Sequence, residues 1–174
     1  MVLLQASYVP EWMDAWLTSE FGLLILLGLC LLEGTMMLRF MPSELVVPVA
    51  LLLIGTSPPI VAAVVLIAVV GTTIGQAILF VLVRRGGRDY VLDKGWLPIS
   101  EQRLDRFDAW FDRWGLLAVP LSNTMLFVRG LCTFPAGLST MRLRTFVVLS
   151  ALGSLSFQSI LAALYLAGEQ IIVF

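Results

Sequence analysis

Between Ile60 and Val83 about 24 residues pass without a single charged side chain. At 1.5 Å per residue a helix of that length reaches roughly 36 Å, enough to cross a bilayer with some tilt. Thr56-Ser57-Pro58-Pro59 before it reads as a turn and a helix start. Phe146 to Gly168 forms a second run of spanning length. Three other apolar runs are cut short: residues 21–32 meet Glu33, residues 45–55 follow a Pro42-Ser43-Glu44 break, and residues 116–138 contain Pro120, Asn123, Arg129 and Pro135. Runs this short suit re-entrant or broken helices rather than crossings. With 59% hydrophobic residues and a mean hydropathy of +0.96, a soluble core has no room for all five runs, so the chain is expected to be an integral membrane protein.

Charge sets the expected orientation. Seven of the eleven basic residues fall in 84–114, which places that loop in the cytoplasm. Within it, Ser100 can cap a helix that runs to Trp114 and ends at Gly115, with Leu104, Phe107, Trp110, Phe111 and Trp114 on one face. That pattern predicts an interfacial amphipathic helix acting as an anchor. Arg113 precedes the interrupted run 116–140, and Arg142 and Arg144 follow it. Basic residues on both sides favour a hairpin that returns to the cytoplasm. The N-terminal segment 1–20 is acidic, with no Lys or Arg before Arg39; it reads as an interfacial segment rather than a secretory signal, with Trp12 and Trp16 four apart.

The expected architecture is therefore all-α: hairpin 21–57, span 60–83, cytoplasmic loop 84–114, hairpin 116–140, span 146–168. Two hairpin-plus-span units of opposite orientation make an inverted-topology repeat, with a site expected between the hairpins. The spans echo one another, Gly71-x4-Gln76-x-Ile78-Leu79 against Gly153-x4-Gln158-x-Ile160-Leu161. Both termini would lie outside.

A charge at the bilayer centre costs roughly 2.5–3.5 kcal/mol on insertion scales, so it faces a wet cavity or an opposite charge. Glu33 and Glu44 occupy opposite arms of the first hairpin, with Pro42 between them. They read as a proton-responsive carboxylate pair, or as headgroup-level acids paired with Arg39. Arg129 lies about ten residues inside its run, accompanied by Asn123. A guanidinium presents a planar fork that matches phosphate or carboxylate, so it reads as the ligand of an anionic headgroup. A structural bridge from Arg129 to Glu44 or Glu33 is the competing reading, and a substrate can compete with the carboxylate for the same arginine. Arg39 can also snorkel. Arg84, Arg85 and Arg88 around Gly86-Gly87 can touch anionic lipid headgroups or simply stop a span. Cys30 and Cys132 read as small buried hydrophobes.

The chain has no histidine. No metal-ligand cluster and no nucleophile with an adjacent base is evident, so neither an enzyme nor a metal or cofactor is expected. Net charge of -1 gives no basis for nucleic-acid binding.

In order along the chain, these elements resemble the DedA family, also called the SNARE-associated or VTT-domain family. The resemblance rests on Leu31-Leu32-Glu33 with Pro42-Ser43-Glu44, on Gly71-Thr72-Thr73-Ile74-Gly75 running to Arg85-Gly86-Gly87-Arg88, and on Val128-Arg129 through Phe134-Pro135-Ala136-Gly137-Leu138 to Met141 and Phe146. Gly153 to Phe157 follows, with Phe157 where the family has an aromatic. The family's second block normally has two arginines six residues apart; here Asn123 stands at the first, and Leu126-Phe127 replace a proline-glycine pair. One of two anion-binding cations is thus replaced, which marks a divergent member.

The resemblance implies an integral membrane transporter of the cell membrane with two facing hairpins. It implies lipid translocation, either recycling of polyprenyl phosphate carriers or phospholipid scrambling, with membrane acids coupled to the proton gradient. Phosphate binding falls to Arg129 and Asn123, proton coupling to Glu33 and Glu44, and headgroup contact to Arg39, Arg85 and Arg88. The alternatives are a proton-coupled carrier of small ions or solutes, and a non-transporting scaffold for membrane assemblies. The expected partners are membrane lipids, a lipid phosphate and protons, with room for a homo-oligomer.

Overall fold

The computed structural model describes residues 21–37, 43–93, 101–125 and 129–172, and every regular element among them is helical. The interfacial segment 1–20, Arg39 and Pro42 lie outside the described residues, as does the side chain of Arg88.

Helix α1 (Gly22–Gly34) and helix α2 (Ser43–Ile54) are 13 and 12 residues long. At 1.5 Å per residue each reaches only about 20 Å, too little for a bilayer. Helix α3 (Pro58–Asp93) begins at the expected prolines, where the missing N–H has no intrahelical partner to lose. It runs past Val83 and is broken at Gly87, whose φ of 74° no helix contains. Helix α4 (Glu101–Trp114) follows, and Gly115 ends it with a φ of 55°, the left-handed stop predicted for that position. One 3-10 turn (Gly115–Leu117) leads into the short helices α5 (Ala118–Thr124) and α6 (Thr133–Leu138). Helix α7 (Leu143–Ile172) closes the chain. Over Pro58–Gly87 and Leu143–Gly168, α3 and α7 are long and apolar enough to cross a membrane.

The second interrupted run does not break where its prolines suggested. Pro120 and Pro135 each sit third in a short helix, within the first turn, where N–H groups have no acceptor to lose. The helical path instead ends at Met125, which turns to extended backbone, and resumes at Thr133. Pro48 lies inside α2 without ending it.

Two features lock the helices together. α1 lies against α3 with backbones in contact: a Cβ on Gly34 would overlap the Thr72 carbonyl oxygen, and one on Gly75 would overlap that of Leu31. α5 lies against α7 in the same manner, where a Cβ on Gly153 would come within 2.7 Å of the Pro120 carbonyl oxygen. Close small-residue contacts of this type maximise dispersion where the surroundings offer no hydrophobic drive. Leu26, Cys30, Val47, Ala50, Val64, Ala68 and Phe157 fill one buried core, uniting α1, α2, α3 and α7. A second buried cluster, Phe80, Val119, Ala136 and Phe146, forms where α3, α5, α6 and α7 meet, and Phe111 of α4 packs onto it. Large apolar side chains such as Leu66, Ile74, Leu82, Val148, Leu152 and Leu164 remain exposed, as a lipid-facing surface requires.

Candidate functional site

The two interrupted regions meet at their charged residues. Glu33 is the penultimate residue of α1, and Arg129 opens the turn that leads into α6. Their side chains are 10% and 5% exposed, and Arg129 Nη1 lies 3.0 Å from Glu33 Oε1. A carboxylate near a helix C-terminus is disfavoured by the backbone dipole, so the guanidinium compensates both the burial and the local field.

Arg129 has two further partners. Its Nη2 donates to Thr72 Oγ1 at 3.2 Å, and its guanidinium carbon lies 4.3 Å from the centre of the Phe157 ring. The planar cation is thus held flat on an aromatic face from α7 and tethered to α3, an arrangement that a lysine ammonium does not reproduce. Among the described residues, Arg129 Nε and Glu33 Oε2 are buried with no hydrogen-bond partner. The pair therefore retains donor and acceptor capacity that the protein itself does not use.

Asn123 is 2% exposed and sits beside this pair, but its amide is fully engaged. It exchanges two hydrogen bonds with Gln76: Gln76 Nε2 donates to Asn123 Oδ1 at 3.1 Å, and Asn123 Nδ2 donates to Gln76 Oε1 at 2.9 Å. Asn123 Nδ2 also reaches Ser150 Oγ at 3.2 Å, and Ser150 Oγ donates to Gln76 Oε1. The Gly130 N–H donates to Asn123 Oδ1 at 3.2 Å, with Gly130 in the left-handed region at φ 75°. Asn123 therefore fixes the backbone next to Arg129 instead of offering a vacant donor, because both ends of its amide are already satisfied within the protein.

Glu44 lies in the first turn of α2, half-buried and within electrostatic reach of both Glu33 and Arg129. It is Glu33 that makes the direct contact with Arg129. Arg85 is exposed, at the same end of α3 as Arg84. Thr72, Gln76, Ser150 and Phe157 complete the site, and the sequence had not marked them as its neighbours. Its relevant signals were the echo between the two spans, which contains Gln76 and brackets Phe157, and the family resemblance, whose motifs include Thr72 and Phe157.

Apart from the charged pair, two apolar hollows of about 630 and 440 Å3 open along the seam between α3 and α7. Val61, Leu66, Ser159 and Leu166 line the first; Ile74, Ile78, Leu143 and Val147 line the second.

With this geometry in place, comparison with known proteins decides the family. The model of the VTT domain matches residues 41–166, well over half the chain. The chain belongs to the VTT-domain family. The chain is 30% identical to the undecaprenyl phosphate transporter A of Staphylococcus aureus, over 78% of its own length and 68% of the relative's. It is 28% identical to the protein of the same name from Bacillus subtilis, over 79% of its own length and 66% of that relative's. The match thus spans about two thirds of both relatives. No solved structure matches the chain. This VTT-domain chain is a membrane protein, with α3 and α7 as its spanning candidates.

Proposed function

We propose that this protein is a lipid-phosphate transporter in which Arg129 binds the phosphate and Glu33 competes for it under the control of a proton. The observation that carries this reading is the buried Arg129–Glu33 contact of 3.0 Å at the junction of the two interrupted segments. The names of the two bacterial relatives support the same substrate class.

Charge conservation gives the cycle its logic. In the closed pair, one cation and one anion sum to zero. When Glu33 takes a proton, Arg129 is left uncompensated at bilayer depth, which is strongly unfavourable. A phosphate monoester in its singly charged form restores neutrality and matches the guanidinium fork. Release of the proton lets Glu33 reclaim Arg129 and expels the phosphate. The apolar tail stays in the lipid or along the α3–α7 hollows, so only the headgroup needs a path.

An inverted repeat of two re-entrant hairpins suits this cycle, and the packing of the glycines supports it. A Cβ on Gly71 would meet Leu27 O and Cys30 Cβ; one on Gly153 would meet Pro120 O and Asn123 Cβ. In each case the contact falls on residues i and i+3 of the interrupted segment's first arm. Alternating exposure would follow from rocking one unit against the other about the charged pair.

Reconstitution into liposomes with a labelled polyprenyl phosphate tests the reading. Arg129→Ala abolishes transport while leaving the protein folded in detergent; undiminished transport by that variant would overturn the assignment.

A further inference from the structure

Arg84 ends the apolar part of α3, and its exposed side chain reaches the end of α6 and the turn after it. Its Nε donates to the Gly137 carbonyl oxygen at 3.2 Å, and its Nη2 donates to those of Ser139 and Met141 at 2.7 and 2.6 Å. The guanidinium also lies 4.5 Å from the centre of the Phe80 ring, which itself stacks on Phe146 at 4.5 Å. One cation thereby gathers a carbonyl from the last turn of α6 and two from the turn that joins α6 to α7.

Those carbonyls need a donor. Helix α6 has only six residues, so most of its C=O groups lack an intrahelical partner. Pro135 O accepts from the Ser139 N–H, and Ala136 O accepts from Ser139 Oγ. Gly137, Ser139 and Met141 are served by Arg84. A positive charge at a helix C-terminus also meets the favourable end of the backbone dipole. Directly beside the clamp, Gly137 lets α6 touch α3: a Cβ there would stand 2.9 Å from Val83 Cγ1.

The other end of α6 is the turn that carries Arg129 and Cys132. With its far end clamped to α3, α6 can pivot but cannot slide, and Arg129 is held in register with Thr72 on the same helix α3. We propose that Arg84 is a positioning residue for Arg129: it anchors α6 so that motion of the second interrupted segment is confined to the turn bearing the phosphate-binding cation. This rests on the reading of Arg129 given above for its consequence in transport, but not for its structural content.

The test uses the two native cysteines, both buried, as separate reporters. Cys132 lies in the Arg129 turn, and Cys30 lies in α1 against Gly71. In the full-length protein carrying Cys30→Ala, Arg84→Gln is expected to raise the rate of Cys132 modification by N-ethylmaleimide about tenfold, through local opening of the turn. With Cys132→Ala instead, the same substitution should leave the Cys30 rate unchanged. Equal acceleration at both cysteines would mean general loosening and would overturn the proposal, as would no acceleration at Cys132. Arg84→Lys keeps the charge over Phe80 but cannot fork across three carbonyls, so an intermediate Cys132 rate is expected. That variant carries the test if Arg84→Gln does not survive solubilisation, and a wild-type rate from it would then sink the idea. In liposomes, Arg84→Gln should raise the KM for polyprenyl phosphate several-fold, with a smaller change in kcat. The labelling arm involves no substrate, so a failure of the transport reading leaves it standing, and its own failure leaves Arg129 untouched.

Discussion

Gln76 and Asn123 face each other amide to amide, closing a ring of two hydrogen bonds of 3.1 and 2.9 Å between α3 and α5. The ring is sealed on one side by Ser150 and on the other by the Gly130 N–H. One small network thus binds both spanning candidates to the turn that carries Arg129, and it makes Asn123 a support for the site. Asn123→Leu, alike in branching though larger, leaves Gln76 and the Gly130 N–H without these partners. A loss of about 1–2 kcal/mol is expected, the range found for polar contacts between membrane helices. Unfolding in a graded series of denaturing detergent measures it, and no change would mean the ring is dispensable.

The charged pair predicts strong coupling between two positions. Glu33→Ala alone or Arg129→Ala alone leaves a buried charge unpaired and should lower stability by about 3–5 kcal/mol. The double substitution Glu33→Ala with Arg129→Ala removes both charges and should recover much of that loss, without recovering transport. A double-mutant cycle in which the two single losses simply add would contradict the contact.

Conservative replacement separates charge from geometry. Arg129→Lys keeps the cation but loses the fork toward Glu33 and Thr72 and the flat stacking on Phe157. Transport should fall by about tenfold or more, since a bidentate site is not preserved by lysine. Phe157→Leu removes only the stacking face and should have a smaller effect, on the order of 1 kcal/mol in phosphate affinity. Equal transport by Arg129→Lys and the wild type would show that positive charge alone suffices.

In the proposed cycle, protonation of Glu33 frees Arg129, so transport should accelerate as the side facing the phosphate is acidified. Glu33→Gln mimics the protonated state, so it should bind the phosphate but release it slowly, and its residual transport should not respond to an imposed pH gradient. Retention of the wild-type pH response by that variant would move proton coupling to another group, with Glu44 of the first interrupted segment the next to test.

Backbone contact between α1 and α3 makes a sharp pair of substitutions. Gly75→Ala places a methyl into the Leu31 carbonyl and forces the helices apart, whereas Gly28 of the same α1 has nothing within 4 Å of its would-be Cβ. Gly75→Ala should destabilise by about 1–3 kcal/mol, as overpacking does, and Gly28→Ala should be neutral or slightly stabilising. Comparable effects from both would contradict the packing.

Several elements were legible in the chain itself because they depend only on neighbours along it. Charge-free runs between Ile60 and Val83 and between Phe146 and Gly168 appear as the cores of α3 and α7, and the helix ending at Gly115 stops where a left-handed glycine was expected. The prolines misled. Pro120 and Pro135 looked like breaks and proved to lie in the first turns of short helices, Pro120 directly after a 3-10 turn, where a missing N–H interrupts no established α-helical ladder. Arg84 looked like a simple stop charge or a headgroup contact, because nothing in a sequence tells an arginine which carbonyls will lack donors.

Hydropathy and periodicity are local properties, and from them the chain by itself determined an all-helical membrane protein with two long helices, interrupted segments beside them, and a misplaced guanidinium and carboxylates. Tertiary structure alone decided that Glu33, rather than Glu44, meets Arg129 directly, that Thr72 and Phe157 hold the cation, and that Asn123 spends its amide on Gln76. Those partners are brought together by helices sliding into backbone contact at Gly34, Gly75 and Gly153. Where such helices cross depends on surface shape over the whole packed bundle, which no stretch of neighbouring residues encodes.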